Sequence, residues 1–527
     1  MSYRVFIPTA GIGSRLGKIT RYINKSLVTV ANRPVLSHLI DKFPKNCEFV
    51  IALGFKGEIV KEFLELAYPN RKFFFVKVYP FEGPGSGLGK TLLYCRKYLQ
   101  KPFVFLSCDT IVKENIIPPS YDWMAYASRK DKDLYRTLNI FENKVLSINE
   151  KKNFPSSNSE AYIGLAGINN HLIFWESMIK GKNQAIKQGE VYGLRSILKT
   201  NSIKAKAFTW NDTGSLQSLN YTRKIYRKKN EPNILDKEKE SIWFVGKSII
   251  KFSSDKKFIK NRILRSRILG SYVPKVVSKR KNMYKYRSVD GKIISEVITL
   301  PLFRKLLNEC KKFWKKENLS KKHEAKFIKT CRLFYENKTK ERVKQFYRNF
   351  NKKDKKETIN GELMPSLNYL FKLIDWGSIS TGLAGRFHGD FHFENILWNN
   401  NKKKFTFIDW RQDFGGNLQV GDIYYDLAKL LHGLIVSHQI ILKNKFLIKW
   451  SSKEIVFKLQ RKRILIQCEK YLEEWCLINN FNISKIRIIT SIIFLNIATL
   501  HHYPYSLLLY SLGKKMLNKE LNKKKLQ

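Results

Sequence analysis

The stretch PTAGIGSRLGKITRYINKSL, residues 8–27, directly follows an apolar run that reads as a strand. Gly11 and Gly13 let the backbone approach a phosphate closely, and the N–H groups from Ala10 onward can cradle it. Arg15 and Lys25 add fixed positive charge suited to a triphosphate. Far downstream, FHGDFHFENILW (387–398) and then KFTFIDWRQDFGG present a carboxylate, an amide five residues later, and a strand ending in a second Asp. That order suits phosphoryl transfer: Asp390 accepts a hydroxyl proton, while Asn395 and Asp409 hold Mg²⁺.

A third stretch, EGPGSGLGKTLL (82–93), imitates a nucleotide-binding P-loop. That motif needs four residues between its first Gly and the Gly-Lys pair. Here five residues separate Gly83 from Gly89, and Pro84 stands where the first Gly belongs. Residues 11–25 already offer a triphosphate site, so the loop is free for another task and Lys90 reads as an incidental helix residue.

The elements that must carry these residues follow from periodicity. YRVFIPT, EFVIAL, KFFFVKVY and FVFLSCD read as strands, and RPVLSHLIDKF and GEIVKEFLELAY between them have helical spacing. Such alternation predicts a mostly parallel sheet covered by helices, with ligands at the carboxyl ends of the strands. Residues 226–240 are charged, contain a Pro and lack apolar periodicity, which reads as a linker. Beyond it, SIWFVGKSIIKF alternates like a strand pair, KKFIKNRILRSRIL is a basic helix, and helices dominate from 301 onward. The expected organisation is a nucleotide-chemistry domain over 1–225, a linker over 226–240 and a second domain over 241–527. The second divides into a small lobe, 241–298, and a helical lobe, 299–527.

The first constellation resembles the nucleoside triphosphate transferases that make NDP-sugars and CDP-alcohols. Their signature is a strand, A-G-x-G-S/T-R-L, and a Lys about ten residues on; the family usually has Pro before that Lys, where this chain has Asn24. The resemblance implies a Rossmann-like α/β fold. It makes Asp109 in FVFLSCDTIV and Asp212 in FTWNDTGSLQSL the Mg²⁺ ligands, and Glu160 and Gly164 in EAYIGLAGI the acceptor contacts. Gly85, Ser86 and Gly87 would then read the nucleotide base through their backbone. Two carboxylates from distant strand ends suit a Mg²⁺ that clamps phosphates.

The second constellation resembles the aminoglycoside phosphotransferase and choline kinase family, which has an α+β, kinase-like fold. The resemblance implies a bracing role for Asp426 in GDIYYDLAKLLHGL, and Lys251 in SIIKF as the phosphate-binding Lys. His388 and His392 are expected to orient rather than ligate. Asp413-Phe414-Gly415 spells another kinase motif, but Asp409 is the residue that follows the strand, so Asp413 reads as a loop residue. Two departures stand out: the helix after Lys251 has no Glu, and no glycine-rich loop precedes it.

The net charge of +54 invites a polyanion partner. The excess is spread along the chain rather than concentrated with interleaved aromatics, so compositional bias is the favoured explanation and no specific nucleic acid is expected. The same charge is compatible with peripheral association with an anionic membrane. The seven cysteines form no C-x-x-C pair, which fits buried thiols in a reducing compartment. No signal peptide is read at the N-terminus, IIFLNIATL is too short to span a bilayer, and a cytoplasmic location is expected.

Together these features predict a bifunctional enzyme. ATP phosphorylates a small hydroxyl compound, and the phosphomonoester then displaces pyrophosphate from a second NTP (CTP, UTP or GTP), with Mg²⁺ at both sites. By analogy with both families the product is an NDP-sugar-type precursor for surface polysaccharide. Two alternatives are a choline or other alcohol kinase joined to a cytidylyltransferase, and a nucleotidyltransferase whose kinase-like domain only recognises the acceptor. The acceptor, the NTP and the oligomeric state are not legible in the sequence.

Overall fold

The structure is a computed structural model in which residues 3–151, 159–227 and 237–523 are described. Much of the expected linker, residues 228–236, lies outside the described residues. Internal packing divides the chain into two compact units, Met1–Ile259 with Val277–Tyr286, and Lys260–Val276 with Arg287–Gln527.

The first unit is built on a nine-stranded, Rossmann-like sheet. Arg4–Pro8 pairs in parallel with Glu48–Leu53 on one side and with Phe103–Leu106 on the other, and Glu48–Leu53 pairs in parallel with Lys72–Lys77. Both faces are covered. Val5, Ile7, Phe49, Ile51, Val104 and Leu106 enter one core, while Phe6, Val50, Phe103 and Phe105 enter the other. Successive side chains alternate across a strand, so continuous apolar runs are the mark of a doubly covered sheet. The helices Val35–Ile40, Gly57–Ala67 and Leu88–Cys95 make the crossovers. Strand order reverses at Arg4–Pro8, which sets its carboxyl end beside that of Phe103–Leu106, the position where such sheets bind ligands.

The first unit also holds, but for the end residues Val276 and Arg287, a small four-stranded sheet of Glu240–Val245, Ser248–Ser253, Val276–Lys279 and Met283–Arg287. Trp243, Ile250, Phe252 and Met283 share a core with Val5 and Phe63. The Trp243 ring lies 5.1 Å from Phe63, and Arg280 pairs with Glu65 at 3.3 Å. These contacts explain why packing groups this hairpin region with the first unit.

The second unit has a three-stranded sheet of Lys292–Ile293, Ile396–Asn399 and Lys404–Phe407, surrounded by helices. Its core helix Ile423–Ile435 packs with Arg463–Ile478 and Ile483–Ala498. Helices dominate after 301, as the sequence suggested, and strands other than Lys404–Phe407 also interrupt them. Glu357–Ile359, Glu362–Met364, Phe446–Trp450 and Glu454–Leu459 form a second sheet, because the alternating runs FLIKW and EIVFKL are strand-like. Helices Lys321–Arg332 and Lys338–Asn349 are joined by a π-helical turn, Leu333–Asn337. All seven cysteines are free and buried. Among the described residues no helix is long and apolar enough to cross a membrane.

Candidate active sites

In the first unit, the short strand Trp210–Asp212 pairs antiparallel with Thr110–Val112 and sets Asp212 opposite Thr110. That register brings Asp212 beside Asp109, more than a hundred residues away in sequence. Thr213 locks the arrangement by donating its backbone N–H and its hydroxyl to the Asp109 carbonyl, each at 3.0 Å. Lys25 Nζ lies 2.9 Å from Asp109 Oδ2, and Ser107 Oγ donates to Asp109 Oδ1 at 2.6 Å. Gly214 marks the centre: a Cβ there would stand 3.1 Å from each of Arg15 Nη2, Asp109 Oδ2 and Asp212 Oδ1. The four charged groups expected from sequence therefore converge on one point.

Their electrostatics are coupled. Burial pushes the Asp109 carboxyl up, but the charges of Lys25 and Arg15 and the Ser107 hydrogen bond outweigh it and hold it at about 2. Lys25 is raised, since Asp109 overcomes the effect of burial. Asp212 is raised by burial and by the neighbouring Asp109 charge. Two carboxylates sharing a space, one disfavouring ionisation of the other, fit a divalent cation whose remaining ligands are phosphate oxygens and water. Among the described residues no group of three or more His, Cys, Asp or Glu forms a ready-made cage.

Asn24, noted only as a departure, is a positioning residue the sequence reading missed. Its fully buried amide donates to the carbonyls of Thr9 at 2.8 Å and Phe55 at 2.6 Å. Its Oδ1 accepts from the Ser26 backbone at 3.0 Å and the Ser26 hydroxyl at 2.8 Å, which caps the turn bearing Lys25. A Pro at 24 makes none of these side-chain bonds.

Gly11 and Gly13 lie against Lys25: their Cβ positions are 3.9 Å from its Cε and 2.9 Å from its Cβ. Gly164 bulges its strand with φ of +70° and accepts the Ser107 N–H at 2.8 Å, so it abuts the Asp109 loop. Glu160, near the start of that strand, accepts from Ser128 at 2.9 Å. Gly85 and Gly87 are exposed and Ser86 half-buried in the loop before helix Leu88–Cys95, which carries Lys90.

In the second unit, Asp390 follows the short strand Ala384–Gly385, in a loop held by buried groups. Asp426 accepts the backbone N–H of His388 at 2.6 Å and of Gly389 at 2.7 Å, and the Trp314 indole N–H at 3.0 Å. Burial raises its carboxyl to about 6 against these hydrogen bonds. His388 accepts the Asp390 N–H at 3.2 Å, and its other ring nitrogen donates to the Ile408 carbonyl at 2.9 Å. Burial holds this imidazole neutral, with a pKa of about 3. One ring thus ties the Asp390 loop to the residue before Asp409. Arg265 adds bonds from its guanidinium to the carbonyls of Phe387, Arg411 and Leu418.

Asp390 itself faces two different settings. Its Oδ2 accepts from Asn395 at 3.3 Å and lies 3.5 Å from His392 Nε2. Its Oδ1 pairs with Lys429 Nζ at 2.8 Å. Lys429 and His392 hold the carboxyl well below the usual range despite its desolvation. Sequence reading missed Lys429, although a lone Lys three residues after Asp426 in an apolar helix was a visible signal. Asp409 has φ of +57° and is engaged by Arg262, from the helix Lys256–Leu269 where the kinase resemblance wants a Glu. Asn395 and Asp409 are oxygen donors of the right kind for Mg²⁺, with Arg262 competing for one Asp409 oxygen. Asp413 accepts the Gly416 N–H at 3.1 Å within a turn. Lys251 is buried in the strand Ser248–Ser253 of the first unit.

Comparison with known proteins finds similarity in both parts of the chain. Residues 353–441 match the phosphotransferase enzyme family (APH). The N-terminal part is 23% identical over 253 residues to the bifunctional protein GlmU of Methanococcus vannielii, covering 46% of this chain and 59% of that protein. It is 26% identical over 156 residues to the D-glycero-alpha-D-manno-heptose 1-phosphate guanylyltransferase of Campylobacter jejuni, covering 28% of this chain and 68% of that one. A UDP-glucose pyrophosphorylase complexed with UDP-glucose aligns with a TM-score of 0.37 and 19% identity, over 43% of this chain and 98% of that one. The chain spans 59% and 50% of the two GlmU proteins from Methanococcus vannielii and Methanococcus maripaludis. The chain therefore joins an N-terminal nucleotidyltransferase-like region to a C-terminal region of the phosphotransferase enzyme family.

Proposed function

We propose that the chain is a two-step transferase, with a nucleotidyltransferase domain over 1–225 and a phosphotransferase domain over 241–527. The convergence of Arg15, Lys25, Asp109 and Asp212 on Gly214 carries the first half of this reading. In the second domain, Asp390 accepts the proton of a substrate hydroxyl as its oxygen attacks the γ-phosphorus of ATP, and ADP leaves. Lys429 keeps Asp390 ionised and fixed, and His388 and Asp426 hold its loop. In the first domain, the resulting phosphomonoester attacks the α-phosphorus of a second NTP, and pyrophosphate leaves. Arg15 and Lys25 neutralise the phosphates, the backbone at Ala10, Gly11 and Gly13 cradles them, and no side-chain nucleophile is needed. Gly85, Ser86 and Gly87 read the base, and Glu160 and Gly164 contact the acceptor.

Asp109 and Asp212 would hold Mg²⁺ in the first domain, and Asn395 and Asp409 in the second. When bound, the ion supplies charge neutralisation on transferring phosphates. The product is an NDP-sugar-type precursor.

Mass spectrometry tests this reading. The protein is incubated with ATP, Mg²⁺, the common NTPs, and pooled sugars, sugar acids, alditols, choline and ethanolamine. An NDP product that requires ATP and an unphosphorylated acceptor, and that an added phosphorylated acceptor restores in Asp390→Asn, supports both halves. Product from phosphorylated acceptors alone would remove the kinase half.

That second outcome has an observation in its favour, the Arg262–Asp409 ion pair. On that reading the kinase-like domain is a recognition module, and Asp390→Asn changes nothing in turnover.

A further inference from the structure

The surroundings of Asp390 hold more positive charge than its carboxylate and that of Asp409, already paired with Arg262, require. Lys429 holds Asp390 Oδ1. Arg411 lies directly against the loop: its backbone N–H donates to the His388 carbonyl at 2.9 Å, and a Cβ on Gly389 would stand 2.6 Å from the Arg411 Cβ. The guanidinium of Arg411 is 5.0 Å from the Phe334 ring, and Lys338 Nζ is 4.4 Å from the same ring. Arg342 follows Lys338 by one helical turn, so both project from the same face of helix Lys338–Asn349. None of Lys338, Arg342 and Arg411 has a carboxylate within salt-bridge distance among the described residues. The acidic neighbour in the π-turn, Glu336, is taken by Arg332 and Lys340.

The cost of this arrangement is visible. Lys338 is pushed down to about 7, first by burial and then by the charges of Arg411, Arg342 and Lys429, with Asp390 the opposing charge. Gathering desolvated cations without counter-charges is unfavourable, and a bound anion relieves it. Lys429 occupies Asp390 Oδ1, whereas Asn395 sits at Oδ2. Close by, His432 has both ring nitrogens buried and without a hydrogen-bond partner, near enough to Lys429 and His392 for their charges to act on it. A neutral imidazole there suits a ligand hydroxyl.

We propose that the phosphoacceptor is a polyhydroxylated anion, a sugar-like compound already carrying a carboxylate or phosphate, bound by Lys338, Arg342 and Arg411 beside Asp390. The proposal rests on the reading of Asp390 as the kinase base. It disfavours choline, whose fixed positive charge these groups repel.

Calorimetry on the full chain uses four probes: a neutral hexose, the corresponding hexuronic acid, the hexose 6-phosphate, and choline. Repeating the titrations in Lys25→Ala removes the phosphate site of the first unit from the readout. At least one anionic probe is expected to bind about tenfold or more tighter than the neutral hexose, and the better of the two names the anion. Lys338→Gln and Arg342→Gln, checked for unchanged thermal unfolding, are each expected to weaken that probe about tenfold while the KM for ATP moves less than about twofold. Anionic probes binding no tighter than the hexose or choline would overturn the proposal. So would equal losses for ATP and anion, which would assign the cations to the γ-phosphate. ADP release with ATP as sole nucleotide separates the two readings: if Asp390→Asn keeps both ADP release and anion binding, the kinase base is wrong and the anion pocket stands.

Discussion

The two candidate sites solve opposite electrostatic problems. Around Gly214 two carboxylates meet two cations, so charge is nearly balanced before any ligand arrives. Around Asp390, Lys429 pairs with its carboxylate and Arg262 with that of Asp409, while Arg411, Lys338 and Arg342 have no carboxylate in salt-bridge distance among the described residues, so positive charge is in surplus. The first arrangement suits a divalent cation together with a polyphosphate, each charge finding a counterpart. The second suits an anionic substrate, which would balance it. The difference teaches that similar phosphate chemistry does not fix the charge of a pocket; the other ligand does.

The most severe way to break the comparison is Asp390→Asn. It removes the base from one site only, and ADP release is expected to fall by about 10²–10⁴-fold while pyrophosphate release from a supplied phosphomonoester stays within about twofold. Coupled assays for the two products measure this directly. The reciprocal change, Lys25→Met, is expected to lower pyrophosphate release by about 10²–10³-fold and to spare ADP release. Equal damage to both activities by either variant would dissolve the contrast.

Asn24→Ala sharpens it more gently. The variant leaves the buried Thr9 carbonyl, the partly buried Phe55 carbonyl and the Ser26 groups without their partner, with an expected cost of about 2–3 kcal/mol and a fall in first-site turnover. Denaturant melts alongside pyrophosphate assays check it, and an unchanged turnover would show that the cap does not position Lys25.

The smallest effect is in pH. Asp109 sits at about 2 in the folded protein against an ordinary 3.8, so its ion pair contributes stability that is present above about pH 4 and lost as pH falls toward 2. The shift corresponds to about 2 kcal/mol. Wild type should exceed Asp109→Asn in stability near neutrality by that order, and the gap should close in acid. A pH-independent gap would mean that the pair with Lys25 is not the source.

Local readings of the sequence carried well where chemistry and period coincide. The four parallel strands are continuous apolar runs because both faces are buried, and period alone reveals them. Asp426 as a brace was legible only through the family resemblance of its helix, and its partners are backbone N–H groups of the Asp390 loop. The sheet of Glu357–Ile359, Glu362–Met364, Phe446–Trp450 and Glu454–Leu459 was not legible, since short strands far apart in sequence give no signal of their pairing. Nor was the shared core of Trp243 and Phe63, because an apolar strand does not announce which neighbour it buries against.

By itself the sequence determined the chemical types and their order: glycines, Arg15 and Lys25 after the first strand, Asp109 and Asp212 after later ones, and the Asp390, Asn395 and Asp409 series downstream. Those follow from backbone geometry and charge, which are properties of short segments. Only the tertiary structure decided that Asp212 lies beside Asp109, that Asn24 aims Lys25, that Arg262 engages Asp409, and that Lys338 and Arg411 share the ring of Phe334. Each of these depends on strand register or helix packing between residues far apart in the chain. Electrostatic interaction depends on distance in space, and no spacing along a sequence supplies that distance.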